Sequence, residues 1–225
     1  MGLHLITKEF LSYGVAVLRG KVIAAFLFAA VPAWAGEATI LAFGDSLTQG
    51  YGLLDQQGLV PQLDKWLEDN GHKVRIVNGG VSGDTTAGGA ARVDWSLTPD
   101  VDAMIVTLGG NDMLRGIDPA VSRDNLDRIL AAAQAHGIEV LLVGMKAPGN
   151  YGPDYKAAFD RIYPDLAETY ETLYFEDFFA GLGDAGPAEV QDYFQPDGIH
   201  PNAEGVKKIV AALGPKVVEL VQNIQ

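Results

Sequence analysis

Cysteine is absent from the 225 residues, so thiolate catalysis and any cysteine-held zinc or iron–sulfur centre are excluded. The redox compartment stays open, because an exported chain can carry disulfides but need not. Serine and histidine are scarce, five and four in number, which leaves few candidates for a nucleophile or a base. Basic residues are outnumbered, 16 against 29 acidic, for a formal net charge of −13. A surface of that sign repels phosphate backbones and anionic membranes, so no nucleic acid is expected as a partner. Long apolar runs are missing too: the run near the start, around 22–33, extends to about 14 residues and contains Pro32, short of the ~20 a membrane-crossing helix needs.

That short run reads as an export signal. Lys8, Arg19 and Lys21 precede it, and Ala33-Trp34-Ala35 offers the small residues a signal peptidase reads. Residues 1–35 are expected to be removed by cleavage after Ala35, with a membrane anchor as the alternative. The rest, 36–225, is expected to form one domain located in the periplasm or secreted, without stable membrane insertion. It carries 13 basic and 28 acidic residues, a net charge of −15. With 48% hydrophobic residues over the whole chain, there is apolar mass for a single large core. Oligomeric state leaves no mark in the sequence.

From residue 38 onward, short apolar runs alternate with helical stretches, and no repeat, low-complexity tract or linker divides them. Strands are expected over 40–43, 74–77, 104–108, 140–143 and 173–175. Their near-continuous hydrophobicity is that of a parallel sheet covered on both faces. Helices are expected over 59–67, 85–93, 119–136, 154–170 and 202–221, the last kinked at Gly214-Pro215. Asp118 before Pro119 is a suitable N-cap, and His136-Gly137 a suitable C-terminus. The alternation predicts a three-layer α/β domain, doubly wound by right-handed crossovers, with ligands beyond the carboxyl ends of the strands.

The few serines can be sorted. Ser12 lies in the export segment, Ser96 ends a helical stretch, and Ser122 sits in the first turns of a helix, where hydroxyls bond backbone groups. Ser46 and Ser82 remain, both just past apolar runs. Ser46 is the one bracketed by a glycine turn and followed by a helix start, in Gly44-Asp45-Ser46-Leu47. A strand–turn–helix corner of that kind exposes the hydroxyl and aims backbone N–H groups at what it attacks; the plainer reading is a helix cap. Among the histidines, His4 is in the export segment, His72 in a turn, and His136 at a helix end that favours a cation. His200 alone has a carboxylate three positions before it, in Asp197-Gly198-Ile199-His200-Pro201. With Asp197 bonded to one ring nitrogen, the other can take a proton from a serine hydroxyl. An Asp-x-x-His turn can also be merely a surface turn. Gly83, after a strand, and Asn111, in Gly109-Gly110-Asn111-Asp112 at a strand end, can supply the donors an oxyanion needs. Nucleophile, base, orienting carboxylate and oxyanion donors together describe ester hydrolysis.

With these residues assembled, the sequence resembles the SGNH (GDSL-type) hydrolases, and within them the bacterial multifunctional thioesterase, arylesterase and lysophospholipase subgroup. The likeness covers essentially all of 39–220. It implies Ser46 as nucleophile, His200 as base oriented by Asp197, and an oxyanion hole from the backbone of Ser46 and Gly83 with the Asn111 side chain. It also implies a flavodoxin-like sheet of five parallel strands, no metal and no cofactor. Leu114, Arg115, Asn150 and Tyr151 fall in loops near which that subgroup binds acyl chains. The Gly-x-Ser-x-Gly elbow of α/β-hydrolases is absent. A small-molecule acyl ester, thioester or lysophospholipid is the implied substrate, cleaved through an acyl-enzyme. Deacetylation of an exported carbohydrate is the rival within the family; a non-catalytic acyl- or sugar-binding module is the rival from another class.

Overall fold

The computed structural model describes residues 37–183 and 190–224. The expected export segment and its cleavage point lie outside the described residues. Five parallel strands, β1 (Ala38–Gly44), β2 (Val74–Gly80), β3 (Ala103–Thr107), β4 (Glu139–Val143) and β5 (Leu173–Phe175), form one sheet in the order β2-β1-β3-β4-β5. This is the doubly wound, flavodoxin-like order, and all five expected strands are in it. Strands β1 and β3 are central and almost wholly buried, which is why their sequences do not alternate. The edge strands β2 and β5 are only partly covered.

Eight α-helices are described: α1 (Ser46–Gln49), α2 (Leu59–Asp69), α3 (Thr86–Ser96), α4 (Gly110–Leu114), α5 (Pro119–Ala135), α6 (Pro153–Asp160), α7 (Ile162–Tyr170) and α8 (Ala203–Asn223). Helices α2 and α8 pack together on one side of the sheet; α3, α5 and α7 form the other layer. Asp118 caps α5 through the Ala120 N–H, with Pro119 at its first position, as its sequence predicts.

Two helix expectations change. The stretch 154–170 is two helices, broken at Arg161. Pro164 explains it, since a proline there has no N–H to give the carbonyl four residues back and its ring crowds that carbonyl. The last helix runs as one element through Gly214-Pro215. Gly214 serves packing instead: a Cβ there would come within 2.5 Å of the Trp66 ring, so the glycine lets α2 lie close against α8.

The order of the sheet switches between β1 and β3: the connection leaving β1 leads to β2 on one side, and the one leaving β3 leads to β4 and β5 on the other. The carboxyl ends of these two strands therefore flank a crevice. Ser46 follows the first of them and Asn111 the second.

Candidate active site

Strand β1 ends at Gly44, and the chain turns at once into α1. Asp45, not Ser46, is the N-cap, its carboxylate accepting from the Leu47 N–H at 3.0 Å. Ser46 is thus released from capping and stands as the first helical residue. The corner is tight: a Cβ on Gly44 would lie 2.7 Å from the Thr107 carbonyl, and one on Gly80 would lie 2.8 Å from the Asp45 carbonyl. The other serines among the described residues do local work. Ser82 bonds the Gln49 side chain, Ser96 the Arg92 carbonyl at 2.7 Å, and Ser122 the buried carboxylate of Asp112 at 3.0 Å.

From the loop before α8, His200 reaches Ser46. The Ser46 hydroxyl donates to His200 Nε2 at 2.9 Å, and His200 Nδ1–H donates to Asp197 Oδ2 at 2.6 Å. The other Asp197 oxygen accepts from the N–H groups of Ile199 and His200 at 2.9 and 3.0 Å. The His200 N–H, above all, holds the Asp197 carboxyl down at about 2, so it stays ionised wherever the imidazole must be steadied. Gly198, at φ +67, makes this turn possible. Gln195 pins the loop: its N–H donates to the His200 carbonyl at 2.7 Å, and its amide nitrogen to the Tyr51 and Pro201 carbonyls at 2.8 and 3.0 Å. The Tyr51 ring covers the imidazole at a centroid distance of 4.7 Å.

Three N–H groups have donor capacity left over. Asn111, second residue of α4, donates from Nδ2 to Asp45 Oδ2 at 3.1 Å and keeps a second amide hydrogen. Among the described residues, the N–H groups of Ser46 and Gly83 meet no acceptor. Gly83 sits at φ +82, a conformation in which a side chain is strained, and its carbonyl is held by Arg115 at 3.0 Å. Helix α4 is anchored by Asp112, fully buried, which accepts from the Thr86 N–H and hydroxyl and from Ser122. Arg92 of α3 ties the blocks together. It pairs with Asp84 at 2.7 Å, donates to the Gly44 carbonyl at 2.8 Å and lies over the Phe43 ring. Burial pushes the Asp45 carboxyl up to about 6, against the pull of the Leu47 N–H and the Asn111 amide.

Ser46, Asn111 and His200 open on a cavity of about 420 Å³ whose wall is mostly apolar, with Met113, Leu114, Met145, Pro148, Phe179 and Ile199 around them; Gly83 is not part of that wall. Of the four loop residues singled out in the sequence, Leu114 is in the wall. Arg115 and Tyr151 are not in the wall but bond the Gly83 and Leu114 carbonyls beside it, and Asn150 is exposed on the turn next to Tyr151. His72 and His136 are remote from the site, in the turn after α2 and at the end of α5.

The family model described as "GDSL-like Lipase/Acylhydrolase family" matches residues 42–208, a span that holds every block of this site. The chain belongs to that family. Among acylhydrolases it is 40% identical over 187 residues to "Esterase TesA" of Pseudomonas aeruginosa, covering 83% of this chain and 90% of that one. "Thioesterase 1/protease 1/lysophospholipase L1" of Escherichia coli K12 is 35% identical over 191 residues, covering 84% and 88%. The crystal structure of AlinE4, "a SGNH-hydrolase family esterase", superposes with a TM-score of 0.67 at 43% identity, over 82% of this chain and 96% of that one. This acylhydrolase is thus a carboxylic ester hydrolase on the three-layer fold of its family.

Nothing in the sequence assigns a role to Tyr51, Arg92 or Gln195, and little to Asp45, although each touches the site. Asp45 was legible in part, since a carboxylate between a glycine and the candidate nucleophile is well placed to cap. Arg92 left a fainter signal, a cation amid the small and apolar residues of α3. For Tyr51 there was none, because the Gln195 amide it accepts from is 144 residues away; Gln195 also bonds His200 and Pro201 within its own loop, through backbone carbonyls that no residue type marks.

Proposed function

We propose that this enzyme is an exported serine esterase that cleaves fatty acyl esters and thioesters, lysophospholipids among them, through an acyl-enzyme on Ser46. The observation that carries the reading is the unbroken relay Ser46–His200–Asp197, opening on an apolar cavity large enough for an acyl chain. Ser46 Oγ attacks the acyl carbonyl carbon while His200 Nε2 takes its proton, and Asp197 steadies the imidazolium. The carbonyl oxygen, now negative, is received by the N–H groups of Ser46 and Gly83 and by Asn111 Nδ2. Collapse breaks the carbon–oxygen or carbon–sulfur bond, and the imidazolium returns its proton to the leaving group. Water, activated by the same His200, then attacks the acyl-enzyme and releases the acid and Ser46.

The apolar wall favours an acyl chain over a sugar ring, and the relatives' names, esterase and thioesterase/lysophospholipase, support the same choice. Residues 1–35 are proposed to be the cleaved export signal; among the described residues no helix is long and apolar enough to cross a membrane. Intact mass of the exported form is expected to begin at Gly36 or within a residue or two of it. Retention of the leader on a membrane-bound product would replace cleavage with anchoring.

A fluorophosphonate should label Ser46 alone, and Ser46→Ala should lower esterase activity by about 10⁴-fold or more with the fold intact. A panel of p-nitrophenyl esters from acetate to palmitate, with a lysophospholipid and an acyl-CoA, tests the substrate class. Turnover of acetate alone would favour carbohydrate deacetylation, and no turnover a binding module.

A further inference from the structure

Large apolar side chains left open to solvent are ordinarily scattered singly. Here they gather. Eight are exposed among the described residues, and six, Tyr51, Leu54, Val81, Leu114, Tyr151 and Ile199, come from the loops at the carboxyl ends of the strands and from the base loop. The other two, Trp95 and Val121, belong to α3 and α5.

Four of the six, Tyr51, Leu114, Tyr151 and Ile199, are joined to the cavity mouth by contact, and Leu54 and Val81 lie beside them along the chain, three residues past Tyr51 and two before Gly83. The Tyr51 ring lies on His200, and Leu54 follows in the same loop. Ile199 and Leu114 form part of the cavity wall, and the Tyr151 hydroxyl donates to the Leu114 carbonyl at 3.2 Å. The Val81 N–H donates to the Gly44 carbonyl at 3.0 Å, beside the nucleophile corner. The exposed apolar rim is therefore continuous with the apolar cavity behind it.

Charge narrows what can sit there. At a net charge of −13 the chain is repelled by an anionic bilayer, and two copies repel one another. A zwitterionic lipid surface has no such penalty and offers acyl chains to both rim and cavity. Two of the six rim residues are tyrosines, whose apolar rings and polar ends suit the headgroup level of a lipid surface. We propose that this rim docks the enzyme on the surface of aggregated zwitterionic lipid, so that acyl esters pass from the aggregate directly into the cavity. The proposal rests on reading Ser46 as the nucleophile of an acyl ester hydrolase.

Two measurements on the purified protein test it. Flotation with phosphatidylcholine vesicles should carry the protein up, and phosphatidylglycerol vesicles should carry less. The rate on tributyrin should climb steeply once the ester passes its solubility limit. The double variant Leu54→Glu/Val81→Thr, at positions open to solvent, should lower vesicle binding and the emulsion rate by about tenfold. Its turnover of dissolved p-nitrophenyl acetate should be unchanged, which also shows that it folds. Absence of flotation, with smooth saturation across the solubility limit, would overturn the proposal. So would stronger binding to phosphatidylglycerol, or a dimer in sedimentation velocity that Leu54→Glu dissociates. If the unmodified protein fails to hydrolyse dissolved p-nitrophenyl acetate, the esterase reading falls instead, and flotation still decides the docking.

Discussion

At the scale of single residues, the site is a set of hydrogen bonds made by side chains that have already met their other obligations. Asp45 illustrates this. It caps α1 and holds the Asn111 amide with its two carboxylate oxygens, leaving Ser46 and one Asn111 hydrogen free. Asn111→Ala should lower kcat by roughly 10²- to 10³-fold with a smaller effect on KM, because its bond strengthens as the oxyanion forms. A defect confined to KM would make Asn111 a ground-state binder. Asp45→Asn keeps the shape but replaces one acceptor by a donor, which must then face either the Leu47 N–H or the Asn111 amide. Turning Asn111 over would put its oxygen toward the oxyanion, so kcat should fall by about 10- to 100-fold at nearly constant KM. Full kcat in this variant would show that Asn111 is oriented without Asp45.

At the scale of elements, three strand ends and a loop are held in register by groups that touch no substrate. Arg92 of α3 is the clearest, since it joins Asp84, just after Gly83, to the Gly44 carbonyl just before Ser46. The pair is largely buried, with side-chain exposures of 11% and 17%. Removing one partner of such a pair leaves a buried charge uncompensated. Arg92→Leu should therefore destabilise by about 3 kcal/mol in urea unfolding, and adding Asp84→Asn should recover part of that loss. If the double variant is the sum of the two single ones, the residues act independently. The break between α6 and α7 and the continuity of α8 belong to this scale as well. Pro164 stands near the start of a helix and Pro215 in the middle of one, so a proline in the sequence did not by itself decide whether the helix stopped.

At the scale of the whole molecule, burial of Asp45 couples the site to stability. Its folded-state carboxyl titrates near 6, above the ordinary carboxylate range, so between about pH 4 and pH 6 the folded chain binds a proton that the unfolded chain has released. That contribution is fully present at low pH and is lost as pH rises through about 6, amounting to about 3 kcal/mol. Asp197 has the opposite sign: its contribution is present above the ordinary carboxylate range and fades only as pH falls toward about 2. Thermal unfolding should accordingly show a midpoint that rises from about pH 7 to about pH 5, and Asp45→Asn should remove that rise. An unchanged pH dependence in the variant would assign it to other groups.

Much of this protein was determined by its sequence alone. Apolar runs of strand length alternating with helical stretches specify a covered parallel sheet, because only helices on both faces bury such strands. Scarcity did the rest: with five serines and four histidines, local context was enough to single out Ser46 and His200. What the tertiary structure alone decided is where chemically ordinary residues meet. Ser46 and His200, 154 positions apart in the sequence, meet at 2.9 Å only because β1 and the loop before α8 end at the same edge of the sheet. Met145 and Phe179 enter the cavity wall, and Arg115 and Tyr151 bond carbonyls beside it, for the same reason. Local sequence specifies the conformation of each segment, whereas a contact between distant segments depends on how the entire core packs.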